Sequence, residues 1–416
     1  GMEILTAGGN AFDAAVAVTA VLAVVGPHGS GLGGGGFWLL HRESDGLDVM
    51  IDGRERAPLA ATRDMYLDDN GDVVHGLSMN GALAAGIPGE PAALVHIAER
   101  YGKLPISHTL APAIRIAREG FEANAQYNRL ARFRLEDMRK DPETARILLQ
   151  DNDIPQPGHL IRQPELADTL EAISLHGKTG FYRGELAAKL VNGVREAGGI
   201  WSLDDLEAYE VMERAPVTGN YQGMRIVSAS PPSSGGVVLM TMLNILGGFQ
   251  LDTLDDATRT HVIIEAMRRA YRDRAEYLGD PDFHAMPVAR LTGAEHADRL
   301  RESIHLDRAT PFPAGQGAGA AAEGMNTTHF SILDGQGNRV AATLSVNYPF
   351  GACFMPPGTG VLLNNEMDDF SAKPGVPNAY GLVGAEANAI APGKRPLSSM
   401  SPTFVESEDG IAILGT

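Results

Sequence analysis

The run Ala11-Phe-Asp-Ala-Ala-Val-Ala-Val-Thr-Ala-Val-Leu-Ala-Val-Val25 constrains the fold more than any other stretch of this chain. It is rich in small residues and apolar almost all round. A helix of that kind has no face to offer to water, so it must be buried between layers. The next residues fit that demand. Gly26-Pro-His-Gly-Ser-Gly-Leu-Gly-Gly-Gly-Gly36 leads into Phe37-Trp-Leu-Leu-His41 and Asp48-Val-Met-Ile-Asp52, which read as the strands of a hairpin. From about 90 to 210 the pattern is helical, as at 91–101, 130–139, 165–175 and 185–197. Ser202 with Asp205 makes a capping-box start for one more helix. A strand at 225–229, the string Pro231-Pro-Ser-Ser-Gly-Gly236, a helix near 237–247 and a long amphipathic helix at 257–277 complete the first three quarters.

The composition then changes. Residues 313–326 read Pro-Ala-Gly-Gln-Gly-Ala-Gly-Ala-Ala-Ala-Glu-Gly-Met-Asn, a low-complexity string expected to be a flexible linker. The strand pattern resumes at once in Thr327-Thr-His-Phe-Ser-Ile-Leu333. It turns at Asp334-Gly-Gln-Gly-Asn338 and returns over 339–347, a hairpin signal. Short strands are also expected at 359–363 and 411–416. Helices in the middle and strands toward both ends predict a layered α+β fold whose sheet draws on both halves of the chain.

Charge and residue usage exclude several functions. Lys plus Arg total 34 and Asp plus Glu 52, a net charge of −18. Such a surface repels phosphate backbones and anionic lipid, so no nucleic-acid partner is expected, and an anionic substrate needs a local basic anchor. The one cysteine, Cys353, sits in the apolar string Gly351-Ala-Cys-Phe-Met355 and reads as packing. No apolar run is long enough for a membrane-spanning helix. His28 and His329 lack metal-site spacing, and Gly31–Gly36 lacks the Gly-Lys-Ser/Thr ending of a phosphate loop, so neither a metal nor a nucleotide is expected. Close helix–sheet packing is the reading given to those glycines. The chain opens as if within a helix and stops in an apparent strand, so it reads as cut at both ends.

The linker–strand junction carries the chemistry. On local sequence alone, Thr327 and Thr328 are β-branched residues opening a strand. If the peptide Asn326–Thr327 is cut, however, Thr327 carries a free α-amine beside its own Oγ. A hydroxyl is a poor nucleophile without a base, and an α-amine with a reference pKa of about 8 can be that base. The same hydroxyl can make the cut by attacking the preceding carbonyl.

The strings around this junction give it a context. The chain resembles the γ-glutamyltranspeptidases, members of the N-terminal-nucleophile hydrolases, from Gly8-Gly-Asn-Ala-Phe-Asp-Ala-Ala-Val to its last residue. The landmarks are Leu32-Gly-Gly-Gly-Gly-Phe37, Asp52-Gly-Arg-Glu-Arg-Ala-Pro58, Pro231-Pro-Ser-Ser-Gly-Gly236 and Glu276-Tyr-Leu-Gly-Asp-Pro-Asp-Phe283. Thr327-Thr-His-Phe-Ser331, Asn364-Asn-Glu-Met-Asp-Asp-Phe370 and Lys394-Arg-Pro-Leu-Ser-Ser-Met-Ser-Pro402 come after them in the family's order.

The resemblance implies a four-layer αββα sandwich. A large segment of residues 1–326 and a small segment from 327 to 416 would intertwine as one domain, a heterodimer of the chain's own two cleavage products. It implies Thr327 as nucleophile, Asn326–Thr327 as cleavage site and Ser345 as the hydroxyl that orients Thr327. Arg54 would clamp the substrate α-carboxylate, a task suited to a guanidinium. Asn347, Glu366 and Asp369 would accept from the α-amine, Ser398 and Ser399 would hold the other carboxylate oxygen, and Tyr380 in the loop 373–384 would cover the pocket. The implied substrate is a small γ-glutamyl amide such as glutathione, with water or an amino acid as acceptor, no cofactor, and a periplasmic or secreted location. Family members place a Gly-Gly oxyanion hole after the last strand, beyond Thr416, so that the natural protein is expected to continue. Two alternatives stay open: a glutaryl- or cephalosporin-type acylase on the same scaffold, and an unprocessed, non-catalytic precursor.

Overall fold

The computed structural model describes residues 1–311 and 327–416; the 313–326 string read as a linker, with Asn326 at its end, lies outside them. The apolar run forms the helix Ala11–Val25. Asn10 caps it, accepting from the Phe12 and Asp13 N–H groups, while the Asp13 carboxylate accepts from the Asn10 N–H. These bonds satisfy three backbone donors that the helix start would otherwise leave buried and unpaired.

Two antiparallel sheets stand at the centre. The first has five strands in the order Met212–Arg214, Leu47–Gly53, Gly35–Arg42, Arg339–Ser345, Thr328–Leu333. The second has four, in the order Gly410–Leu414, Thr403–Ser407, Met224–Ser228, Val217–Tyr221. The period of two along each strand sorts its side chains between layers. Trp38, Leu40, Ile51, Ala342 and Leu344 pack with Phe12 and Ala20 of the Ala11–Val25 helix and Leu94 and Ile97 of the Glu90–Tyr101 helix. Their alternates Phe37, Leu39, Met50 and Ala341 meet Val227 and Phe404 of the second sheet. On that sheet's outer side Val217 and Ile226 cluster with Val237 and Met240 of the helix Gly235–Leu246. The layers therefore run helix, sheet, sheet, helix, the αββα order expected. Residues on both sides of 327 supply strands to each sheet.

Two readings are corrected. Residues 359–363 form no strand. Gly358 and Gly360 take positive φ (70° and 66°), which turns the chain, and only Leu363 bridges to Gly33. The Gly31–Gly36 string serves strand and loop backbone more than helix packing: a Cβ on Gly34 would collide with the Ser345 carbonyl oxygen, and one on Gly33 with that of Leu362. The strands Met212–Arg214, Val217–Tyr221 and Thr403–Ser407 are absent from the sequence reading. Among the described residues, no helix is long and apolar enough to cross a membrane.

Candidate active site

The hairpin after residue 327 sets the position of the candidate nucleophile. Thr328 pairs with Leu344, and Gly35 pairs with Ser345 on the far side, so the same register extended by one residue sets Thr327 opposite Ser345. Thr327 is exposed, at the mouth of a cavity of about 300 Å³. Of the site residues singled out from sequence, all but Asn326, which lies outside the described residues, line that cavity: Arg54, Thr327, Ser345, Asn347, Glu366, Asp369, Tyr380, Ser398 and Ser399. Tyr271, Arg274, Leu382, Met400 and Thr416 complete the lining. The Arg339–Ser345 strand ends because Asn347 turns into the left-handed region, φ 72°, which asparagine tolerates better than most residues. In that turn the Asn347 N–H donates to Ser345 Oγ at 2.8 Å. Among the described residues no hydrogen bond joins Ser345 to Thr327.

Arg54 comes directly after the strand Leu47–Gly53. Its guanidinium is buried, not in a surface ion pair. Nη1 lies 2.7 Å from Glu366 Oε2, Nη2 lies 2.5 Å from Asp369 Oδ2, and Glu55 stands 3.5 Å away. Nε donates to the Pro396 carbonyl at 3.2 Å. Burial works against this cation, but the three carboxylates outweigh burial and raise its pKa. The acids respond in turn. Burial pushes Glu55 up to about 8 against the pull of Arg54. Burial also drives Glu366 well above the usual carboxylate range, with Glu55 and Asp369 adding to it and Arg54 opposing. The proposed carboxylate clamp and the proposed ammonium acceptors are thus in contact with one another.

Two asparagines frame the acidic turn Glu366–Asp369. Asn364 Oδ1 accepts from the Glu366 N–H at 2.9 Å, and its Nδ2 donates to the Gly33 and Gly86 carbonyls. Asn347 Nδ2 donates to the Asn365 carbonyl at 2.9 Å. The loop from Lys373 to Gly384 closes over this turn. Tyr380 Oη donates to the Asn347 carbonyl at 2.8 Å, and the Ala379 N–H donates to Asp368 Oδ2 at 3.0 Å. Asp368 also accepts from Ser78 Oγ, and burial lifts its pKa to about 6. Asp368 has no role in the sequence reading beyond its place in the Asn364–Phe370 string; Ser78, which belongs to no string singled out, gives no signal.

The string Pro231–Gly236, a landmark without a role in the sequence reading, braces the 398–400 segment. The Ser398 N–H donates to the Pro232 carbonyl, and the Ser234 N–H and Oγ both donate to the Ser398 carbonyl, all at 2.8 Å. Ser398 Oγ accepts from the Met400 N–H. Ser399 Oγ is buried with no hydrogen-bond partner among the described residues, so it is open to a ligand. Arg274 and Tyr271, three residues apart on the helix Asp256–Tyr277, reach the cavity from the other side. Their spacing on one helix face was legible, but not which face meets the site. Cys353 is buried away from the cavity, and burial pushes its thiol up to about 12.

The whole chain, residues 1–416, matches the model of the family described as gamma-glutamyltranspeptidase. It is 46% identical over 421 residues to a protein of Pseudomonas sp. (strain A14) named glutathione hydrolase proenzyme, covering all of this chain and 73% of that one. Two solved structures share the fold. The crystal structure of Helicobacter pylori gamma-glutamyltranspeptidase matches with TM-score 0.73 at 39% identity, over 74% of this chain and 89% of that one. The cephalosporin acylase of Bacillus halodurans matches with TM-score 0.81 at 30% identity, over 98% of this chain and 73% of that one.

Proposed function

The chain belongs to the γ-glutamyltranspeptidase family, and from that premise we propose that it transfers or hydrolyses the γ-glutamyl group of amides such as glutathione, with Thr327 as nucleophile. In the precursor, Thr327 Oγ attacks the Asn326 carbonyl. The peptide C–N bond breaks, the Oγ proton passes to the new amine, and water hydrolyses the resulting ester. The freed α-amine then takes the Oγ proton as Thr327 attacks the substrate γ-carbonyl, and that proton goes to the departing amine. A γ-glutamyl ester remains on Thr327, and water or an amino acid's amine resolves it. Ser345, opposite Thr327 in register, orients the nucleophile. The two segments, 1–326 and 327–416, stay together as one intertwined domain. A periplasmic or secreted location belongs to the same reading and rests on the family resemblance.

The observation that carries this reading is the union, in one cavity, of Thr327 with an Arg54–Glu366–Asp369 cluster. That cluster offers a cation to an α-carboxylate and acceptors to an α-ammonium. Acceptors of that kind have no use in a glutaryl-type acylase, whose substrate lacks the amine. Denaturing mass spectrometry gives the test. The wild type should yield two fragments parted between 326 and 327 and release glutamate from glutathione, and Thr327→Ala should do neither. A wild type that stays a single chain and releases no glutamate sinks the proposal.

A further inference from the structure

Arg274 is a buried cation that forms no ion pair among the described residues, although the Asp369 carboxylate acts on it from a distance. It is 4% exposed, yet it lines the cavity. Its Nε donates to Ser234 Oγ at 3.0 Å, the one hydrogen bond of its side chain among the described residues, and none of them forms an ion pair with it. Arg54, the other cavity guanidinium, already holds Glu366 and Asp369. A charge taken out of water is costly unless it is paired. Ser234 fixes the near end of the guanidinium and is itself held by the Ser398 carbonyl, so the far end is aimed by a rigid brace. Ser399 Oγ, without a hydrogen-bond partner among the described residues, lines the same cavity.

We propose that Arg274 is a second carboxylate-binding residue of this cavity, taking an anionic group in the direct ion pair that none of the described residues makes with it. The proposal rests on the γ-glutamyl reading for the identity of that group. Two carboxylates are available in such chemistry: the α-carboxylate of the donor, and the carboxylate of an amino acid that leaves or accepts. The guanidinium fork suits either.

Acid and amide forms of each group separate the sources. For the leaving group, γ-glutamylglycine is compared with γ-glutamylglycinamide. For the donor, γ-glutamyl-p-nitroanilide is compared with its α-carboxamide. In one of these pairs the acid-over-amide preference in kcat/KM should fall about 10- to 100-fold in Arg274→Gln, through KM more than kcat, as expected for a lost charged hydrogen bond. Arg274→Lys, which keeps the charge and loses the fork, should fall less. Equal preferences in wild type and Arg274→Gln, in both pairs, overturn the proposal. If Arg274→Gln does not fold, Arg274→Lys decides: an altered preference supports the role and an unaltered one ends it. Calorimetric binding of the same ligands reads the preference without turnover. A wild type that binds acid over amide through Arg274 but turns over no γ-glutamyl substrate refutes the γ-glutamyl reading and leaves the carboxylate site standing.

Discussion

At Asp368 a single carboxyl group is held by two donors and by the protein interior at once. Ser78 Oγ donates to one of its oxygens and the Ala379 N–H of the covering loop to the other. Burial still dominates and raises its pKa to about 6. In the unfolded chain the same group ionises in the ordinary aspartate range, near 3.9. As pH rises from about 4 to about 6, the unfolded state gives up its proton first. The stability that Asp368 contributes is therefore complete below the unfolded value and is lost as pH climbs through the folded one, by on the order of 2–3 kcal/mol. Asp368→Asn removes that slope. Urea unfolding of wild type and variant at pH 4 and pH 7 should show the wild type losing more stability across the interval; parallel losses would contradict the assignment. Residues of this kind were only half legible. The carboxylates of Asn364–Phe370 stand out in the sequence, and Glu366 and Asp369 line the cavity, but that Asp368 faces the covering loop while Asp369 faces Arg54 depends on the tight turn Glu366–Asp369. Likewise Arg54 could be read as a cation near carboxylates, but not as one already shared by Glu366 and Asp369.

Among the elements, the glycine-rich entry to the first sheet governs the site at a distance. The Gly34 carbonyl accepts from the Gly89 and Glu90 N–H groups, and its Cα abuts the Ser345 carbonyl, leaving no room for a methyl group. Gly34→Ala should push Ser345 away and with it the opposing Thr327. It should cost about 1–3 kcal/mol of stability, in line with overpacked interiors, and slow the appearance of the 326/327 fragments. Chemical denaturation and a time course on denaturing gels check both effects; wild-type values in each would remove the link between Gly34 and the nucleophile. The sequence marked this string as a close approach but named the wrong neighbour, because glycine spacing reports that something comes near and not what. Elements were legible where one pattern ran long: the unbroken apolar run of Ala11–Val25 and the amphipathic periodicity of Asp256–Tyr277. They were lost where strands are short and turn-like: Val217–Tyr221 carries Gly219 and Asn220 in its middle and is held by its neighbour Met224–Ser228, not by its own propensity.

On the scale of the whole molecule, the residues before and after the proposed cut share both sheets. Arg339–Ser345 is bonded to Gly35–Arg42 along seven paired positions, and Thr403–Ser407 to Met224–Ser228 along four. The ladder between Thr328–Leu333 and Arg339–Ser345 lies wholly after the proposed cut, within the second segment. The two fragments should therefore co-elute as one particle in native size-exclusion chromatography and separate only in denaturant. Elution of free 327–416 under native conditions would contradict the shared-sheet arrangement as a stable unit. The same sharing alters what kind of reaction folding is. Before the cut, bringing the two halves of each sheet together is closure of a loop within one molecule, at an entropy cost that grows slowly with loop length. Afterwards it is an encounter between two molecules. A mature protein once unfolded would then recover at a rate set by its own concentration, while an uncut Thr327→Ala chain would recover at a rate independent of it.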